Sequence, residues 1–327
     1  MATIDLGAVT TLADVAKAYD MQGNLLKFVD VLSGAYPFIE EGHWVEANDF
    51  TSHLVTQVLT EPTGTFGVIN KGTPYESARL KQFLEPVSML EGYSRIDERL
   101  LMIQREPEAF RSRRNEIYVR GMRKTFCSKT LYGNHNTTPA EPHGLFNRYN
   151  NASTFPNSCA SQGGSGNDTC SLVAIKWGED GMSFVFPQGA KNFIQEIDLQ
   201  RQLIHDSDGN PYTAVVSHFM VNYGISVADD RCIQRIARIE QSGSTNIFDE
   251  DKLIERLEYL PDGDTTGVVI YVNRAVMTQM RIAFKDKSNV NFSVEEAWGG
   301  RKQLHFQGIP VVRLDSLVTE TDASFTP

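Results

Sequence analysis

The chain of 327 residues is long enough for two or three compact units with a sizeable core, and its 41% hydrophobic and 22% charged residues are those of a globular protein. A net charge of −10 argues against a general nucleic-acid-binding protein, which needs a dominant basic field, but not against contact with DNA over part of the surface. Four cysteines without a CxxC pair, no signal pattern in MATIDLGAVT and no run of about 18 apolar residues point to a soluble cytosolic product with free thiols and no membrane span.

Residues 11–32, TLADVAKAYDMQGNLLKFVDVL, read as two short helices broken near Gly23. Such a short amphipathic arm cannot bury its apolar face alone, so it is expected on the main body or on a neighbouring chain. From Trp44 the period changes to two. HLVTQVLTE and TFGVIN alternate, and Glu61, Pro62, Thr63, Gly64 and Thr65 between them carry turn chemistry, which predicts a hairpin with its tip at 61–65. Little apolar mass flanks this ribbon. An isolated two-stranded ribbon is marginal in water, so a neighbour or assembly is expected to cover it.

A short helix over 96–103 precedes the longest expected element, EPEAFRSRRNEIYVRGMRKTFCSKTL at 106–131. Pro107 suits the first helical position, Glu106 and Glu108 complement the positive end of the dipole, Lys124 and Lys129 the negative end, and Gly133 is a stop. Phe110, Ile117, Tyr118, Gly121 and Met122 are expected on one broad apolar face, with Gly121 allowing close backbone approach. Arg113, Arg120 and Lys124, spaced by seven and four, form a basic stripe beside it. Between Arg111 and Lys129 there are seven basic residues and one acid, Glu116. Two readings stay open: a solvated amphipathic helix, or a spine whose basic side faces an acidic segment or a polyanion.

YGNHNTTPAEPHGLFNRYNN and SCASQGGSGNDTC read as loops, and the glycines of the second neither follow a strand nor open a helix, so a phosphate cradle is not expected. Residues 171–239 are β-rich, with turns at GEDG and DSDGNP. Asp206, Asp208 and Asn210 lack the glycine and glutamate of a calcium loop and read as a turn. From 246 to 317 a mixed unit follows: a helix in FDEDKLIERLEYLP, a buried strand GVVIYVN, a helix in RAVMTQMRIAFKD and a hairpin tipped by Gly299 and Gly300. Ser242–Ser244 reads as the boundary before it, and TETDASFTP as a frayed tail. No nucleophile elbow, HExxH, Walker loop or His/Cys cluster occurs. His218, in an alternating strand, reads as a core or interface residue, and the neighbours Glu40–Glu41 and Glu295–Glu296 do not make an acid/base dyad.

GNLLKFVDVLSGAYPFIEEGHWVEAN with the hairpin after it, the helix at 106–131, and above all SLVAIKWGEDGMSFVFPQGAKNF with DGNPYTAVVSHFMVNYGISVADDRCIQRIARI resemble the major capsid proteins of tailed phages, those of short-tailed phages in particular. The resemblance implies an α+β chain with the Hong Kong 97-type capsid fold. It would comprise an N-terminal arm (1–45), an extended E-loop hairpin (46–85), a peripheral domain (86–241, spine helix 106–131, long strands 171–239), and an axial domain with the C-terminal tail (242–327). The strand block precedes the axial-like block, which implies a permuted segment order.

The implied function is that of a major capsid protein, building pentamers and hexamers of an icosahedral head around double-stranded DNA without catalysis or a cofactor. Implied partners are further copies of the chain, scaffold, portal and decoration proteins, and packaged DNA held non-specifically. Arg113, Arg120 and Lys124 would face that DNA or the arm. The implied location is the virion, after assembly in the host cytoplasm. An encapsulin-like compartment shell and a hydrolase with a dispersed active site are the alternatives.

Overall fold

The computed structural model describes residues 36–165, 167–190, 194–285, 291–297, 301–317 and 325–326. The helices expected at 11–32 and the Gly299–Gly300 tip lie outside the described residues. In chain order the elements are α1 (Phe38–Glu41), β1 (Trp44–Glu46), β2 (Ser52–Thr60), β3 (Arg79–Pro86), β4 (Ser88–Asp97), α2 (Glu98–Met102), α3 (Pro107–Tyr132) and α4 (Leu145–Arg148). Then come β5 (Cys159–Ser161), β6 (Thr169–Lys176), β7 (Met182–Phe186), β8 (Ile194–His205), β9 (Pro211–Val227) and β10 (Ile233–Glu240). The last part supplies α5 (Glu250–Leu257), β11 (Val268–Val272), α6 (Arg274–Ala283), β12 (Phe292–Ala297), β13 (Arg301–Phe306) and β14 (Ile309–Arg313).

The chain divides into two compact units. The smaller contains Met89–Phe126 and the described part of Lys191–Asn222. Here β8 and β9 form a long antiparallel hairpin, from Ile194 opposite Val221 to His205 opposite Pro211. Its turn is the one expected at 206–210: the Asp206 carboxylate accepts from the Asp208 and Asn210 amides (3.0 and 2.8 Å), and Gly209 takes φ +82°. A bulge after Asp198 puts Gln200 at φ +58°. The small core of this unit joins Ile96 and Phe110 to Leu100 and Leu101.

The first half of α3 docks mostly through polar groups. Arg111 donates to Asp198 and to Ser217 Oγ (2.8 Å), while Asn115 donates to Glu196 (2.9 Å) and Ser217 Oγ (3.2 Å). The broad apolar face expected on α3 is therefore corrected. Ile117 and Tyr118 are exposed, and a side chain at Gly121 would meet open space rather than a close backbone. The close approach is at Gly92 instead, where an added Cβ would stand 2.6 Å from the Tyr118 ring.

The larger unit contains Cys127–Ala190 and the described parts of Ala35–Ser88 and Tyr223–Pro327. It is built on a seven-stranded sheet in the order β12-β13-β14-β11-β6-β10-β5. Strand β6, TCSLVAIK, is buried from Thr169 to Ile175, as a continuous apolar run requires of a strand covered on both faces. It pairs antiparallel with β11 on one edge and β10 on the other. Helices α5 and α6 bring Leu253, Leu257, Val276, Met277 and Met280 against Leu172, Ala174, Ile270 and Phe306. Asp249 and Asn273 cap them through the amides of Asp251 and Val276.

Three further expectations are corrected in this unit. The boundary at 242–244 does not separate the strand block from the closing block, because β5, β6 and β10 share one sheet with β11–β14. The last residues of the expected arm belong to the body: β1 runs parallel to β7, and Phe38 is buried with its ring edge-on to Tyr271, 4.8 Å away. Residues 325–326 of the expected tail are anchored as well. Phe325 is buried, and Thr326 exchanges backbone hydrogen bonds with the Asn150–Ala152 segment.

Candidate assembly elements

The hairpin expected from Trp44 onward exists, with a different second strand. β2 pairs with β3, from Ser52 opposite Pro86 to Thr60 opposite Arg79, and TFGVIN lies in the loop between them. Among the described residues the alternation of TFGVIN has no partner strand, whereas RLKQFLEP continues the ladder. Glu61–Thr65 enter this loop and are closed across its base by Glu76, which accepts from the amides of Thr63 (2.9 Å) and Gly64 (3.0 Å). The chain reverses farther on, where Lys71 N donates to Val68 O (3.1 Å) and Asn70 takes φ +65°. The reversal expected at 61–65 thus sits at 68–71.

The pleat gives this hairpin two unlike faces. Leu54 opposite Leu84 and Val58 opposite Leu80 form an outer stripe in which all four side chains are exposed. Phe66, Ile69 and Tyr75 in the loop are at least 90% exposed, so the apolar surface continues to the reversal. On the inner face Val55 is buried, Gln57 Nε2 donates to Ala228 O (2.9 Å), and His53 stands opposite Glu85. Arg148 of α4 grips Glu85 with both terminal nitrogens (2.6 and 2.7 Å). Next to them the Tyr149 hydroxyl donates to Asp230 (2.7 Å), and burial pushes that phenol well above its usual range. Burial holds the His143 imidazole below its ordinary value, with the Arg148 charge adding to the effect; burial also lowers His53. No sequence signal marked Glu85 or Arg148. They are far apart in the chain and meet only when the hairpin docks.

The basic stripe lies on α3. Spacings of seven and four return to nearly the same side of a helix of 3.6 residues per turn, so Arg113, Arg120 and Lys124 share one side. The two arginines are half-buried and Lys124 is exposed. His218 is packed as expected: its ring stacks on Tyr93 at 4.3 Å, 3.8 Å from the Glu91 carboxylate. Glu41 does not pair with Glu40 but accepts from the Tyr271 hydroxyl (2.7 Å), which in turn accepts from Trp177 Nε1 (2.9 Å). The four cysteines are free and buried. Among the described residues no three His, Cys, Asp or Glu side chains gather as metal ligands, and no helix is long and apolar enough to cross a membrane.

The fold is shared with solved phage structures. The solved structure of bacteriophage Epsilon15 matches with a TM-score of 0.76 and 23% identity over 100% of both chains. The bacteriophage JBD30 capsid matches with a TM-score of 0.52 and 8% identity over 95% of this chain and 100% of that one. The SrpI encapsulin of Synechococcus elongatus reaches 0.41 at 10% identity, over 71% of this chain and 97% of its own. No protein of curated function matches the sequence. The architecture is the Hong Kong 97-type capsid fold. The family model of the major capsid protein GP7 matches residues 20–324, nearly the whole length, and the chain belongs to that family of phage major capsid proteins.

Proposed function

We propose that the chain assembles with copies of itself into the pentamers and hexamers of an icosahedral head that encloses double-stranded DNA. The outer stripe of the β2–β3 hairpin carries this reading. Leu54, Val58, Leu80 and Leu84 stand exposed on a ribbon that reaches beyond its own support. Fully burying such a side chain contributes about 1.5–3 kcal/mol, so a neighbouring subunit lying on the stripe gains several kcal/mol per contact. In this reading β2–β3 and its loop are the E-loop and α3 is the spine helix. The β8–β9 unit is the peripheral domain, the seven-stranded sheet is the axial domain, and residues preceding α1 form the arm. Repeated head-to-tail contacts of one chain close into rings and then a shell.

The side of α3 with Arg113, Arg120 and Lys124 supports non-specific contact with packaged DNA, whose affinity falls steeply with salt. Scaffold, portal and decoration proteins complete the assembly in the host cytoplasm, and the reading assigns the chain no reaction. Negative-stain microscopy and sedimentation of the chain expressed alone and with its scaffold test it. Shells, tubes or capsomer rings are expected. A particle that stays monomeric under both conditions overturns the reading.

A further inference from the structure

The β2–β3 hairpin is held to its own unit by few groups. Of its strand residues only Ser52, Val55 and Glu85 are buried; Asn48 and Asp49 hydrogen-bond Ser52, His53 and Leu54 at the base of β2, and farther out Gln57 donates to Ala228 O. The inner face is not close-packed. A groove of about 290 Å³ runs along it, lined by Gln57, Lys81, Phe83, Glu85, His143 and Arg148. The strongest attachment across this groove is the Glu85–Arg148 pair, whose side chains are 7% and 14% exposed. Arg148 Nε lacks a hydrogen-bond partner, so the guanidinium is buried with only its two terminal nitrogens satisfied. A buried ion pair with incomplete hydrogen bonding recovers little more than its desolvation cost and releases more readily than packed apolar surface. Beyond Gln57 and Phe83, the strand residues toward the loop are exposed.

We propose that Glu85–Arg148 is a latch that fixes the angle of the hairpin against the body, and that opening it lets the hairpin swing over the groove as a unit. The pivot lies just below the pair. There an added Cβ at Gly224 would stand 2.6 Å from the Pro86 carbonyl, so strand and hairpin base touch backbone to backbone. The β2–β3 ladder is continuous apart from one bulge after Val58, so the ribbon moves without unzipping. The latch acts within one chain, and soluble subunits test it apart from shell formation.

Hydrogen exchange on the full chain decides the matter. In Glu85→Gln the protection of Val55 and Gln57 against the body is expected to fall, and loop residues 61–78 to become more open to protease. The Glu85→Gln/Arg148→Gln double variant removes both charges and so leaves no buried ion stranded. In it, amides that border the body in 52–57 and 83–88 should exchange about tenfold faster or more, while those of β6 and β10 keep their rates. Unchanged exchange in the hairpin of the double variant overturns the latch. A parallel rise in β6 and β10 overturns it too, because the pair would then be part of the general stability of the unit.

Discussion

Arg235 lays its guanidinium 4.0 Å from the Phe146 ring and 5.0 Å from the Phe325 ring. It is fully buried on the sheet strand β10, and it donates to the carbonyls of Tyr149 (2.8 Å) and Phe146 (3.2 Å) and to Ser171 Oγ (3.2 Å). One cation thereby ties α4, the sheet and the end of the chain together. Phe325→Ala is expected to lower stability by about 3–5 kcal/mol, the range for deleting a buried aromatic ring. Urea unfolding checks this, and an unchanged midpoint would show the tail to be an ornament.

Gly144 closes the end of α3 by lying against it. An added Cβ there would stand 2.6 Å from Gly133 N and 2.8 Å from both Gly133 O and Leu131 O, which are backbone atoms that cannot step aside. Gly144→Ala should cost at least about 1–3 kcal/mol, the penalty of overpacking, as a lower denaturation midpoint.

Asp198 is held below the usual carboxylate range, first by its hydrogen bonds from the Arg111 side chain and then by the Gln200 amide. A depressed folded value means stability present above the ordinary carboxylate range and lost as pH falls through the folded value. Asp198→Asn is therefore expected to destabilise at pH 7 and to differ less and less from the parent as acid protonates the carboxylate. The carboxylate is half exposed, so the neutral-pH difference should stay within about 1 kcal/mol. Thermal melts across pH 2–7 read out both the sign and the fading.

The hairpin stripe predicts a split between folding and assembly. Leu54→Ser/Leu84→Ser alters two exposed side chains, and surface changes away from special features usually stay within about 0.5 kcal/mol each. The subunit should melt almost as before, yet shells should fail to form by sedimentation. Normal shells would remove the stripe from the contact.

Much of the architecture was legible because it is written locally. Pro107 and Gly133 bracket α3, which runs one residue past the expected end, and Gly133 N donates to Lys129 O as a helix stop should. The apolar run of β6 and the Asp206 turn likewise carry their structure in adjacent residues. What was missed depends on partners distant in sequence. β3 reads poorly alone and becomes a strand by pairing with β2, while TFGVIN, with better alternation, meets no partner strand among the described residues. The boundary at 242–244 was drawn where turn residues cluster, but hydrogen bonds between β6 and β11 ignore it. The Glu85–Arg148 contact left no trace in spacing or composition, since nothing local constrains a pair that meets only through the docking of a hairpin.

The place of β6 in the middle of its sheet sets a timetable for the newborn subunit. Its two flanking strands, β10 and β11, are made after the entire β7–β9 region, and the ring of Phe325 follows later still. Contacts between such distant residues form late and slowly. The hairpin can zip from neighbouring sequence well before then, so its greasy outer side is on display while the large sheet of its unit is still incomplete. During synthesis the chain is stickiest before it is whole, which is the interval in which a chaperone has most to protect.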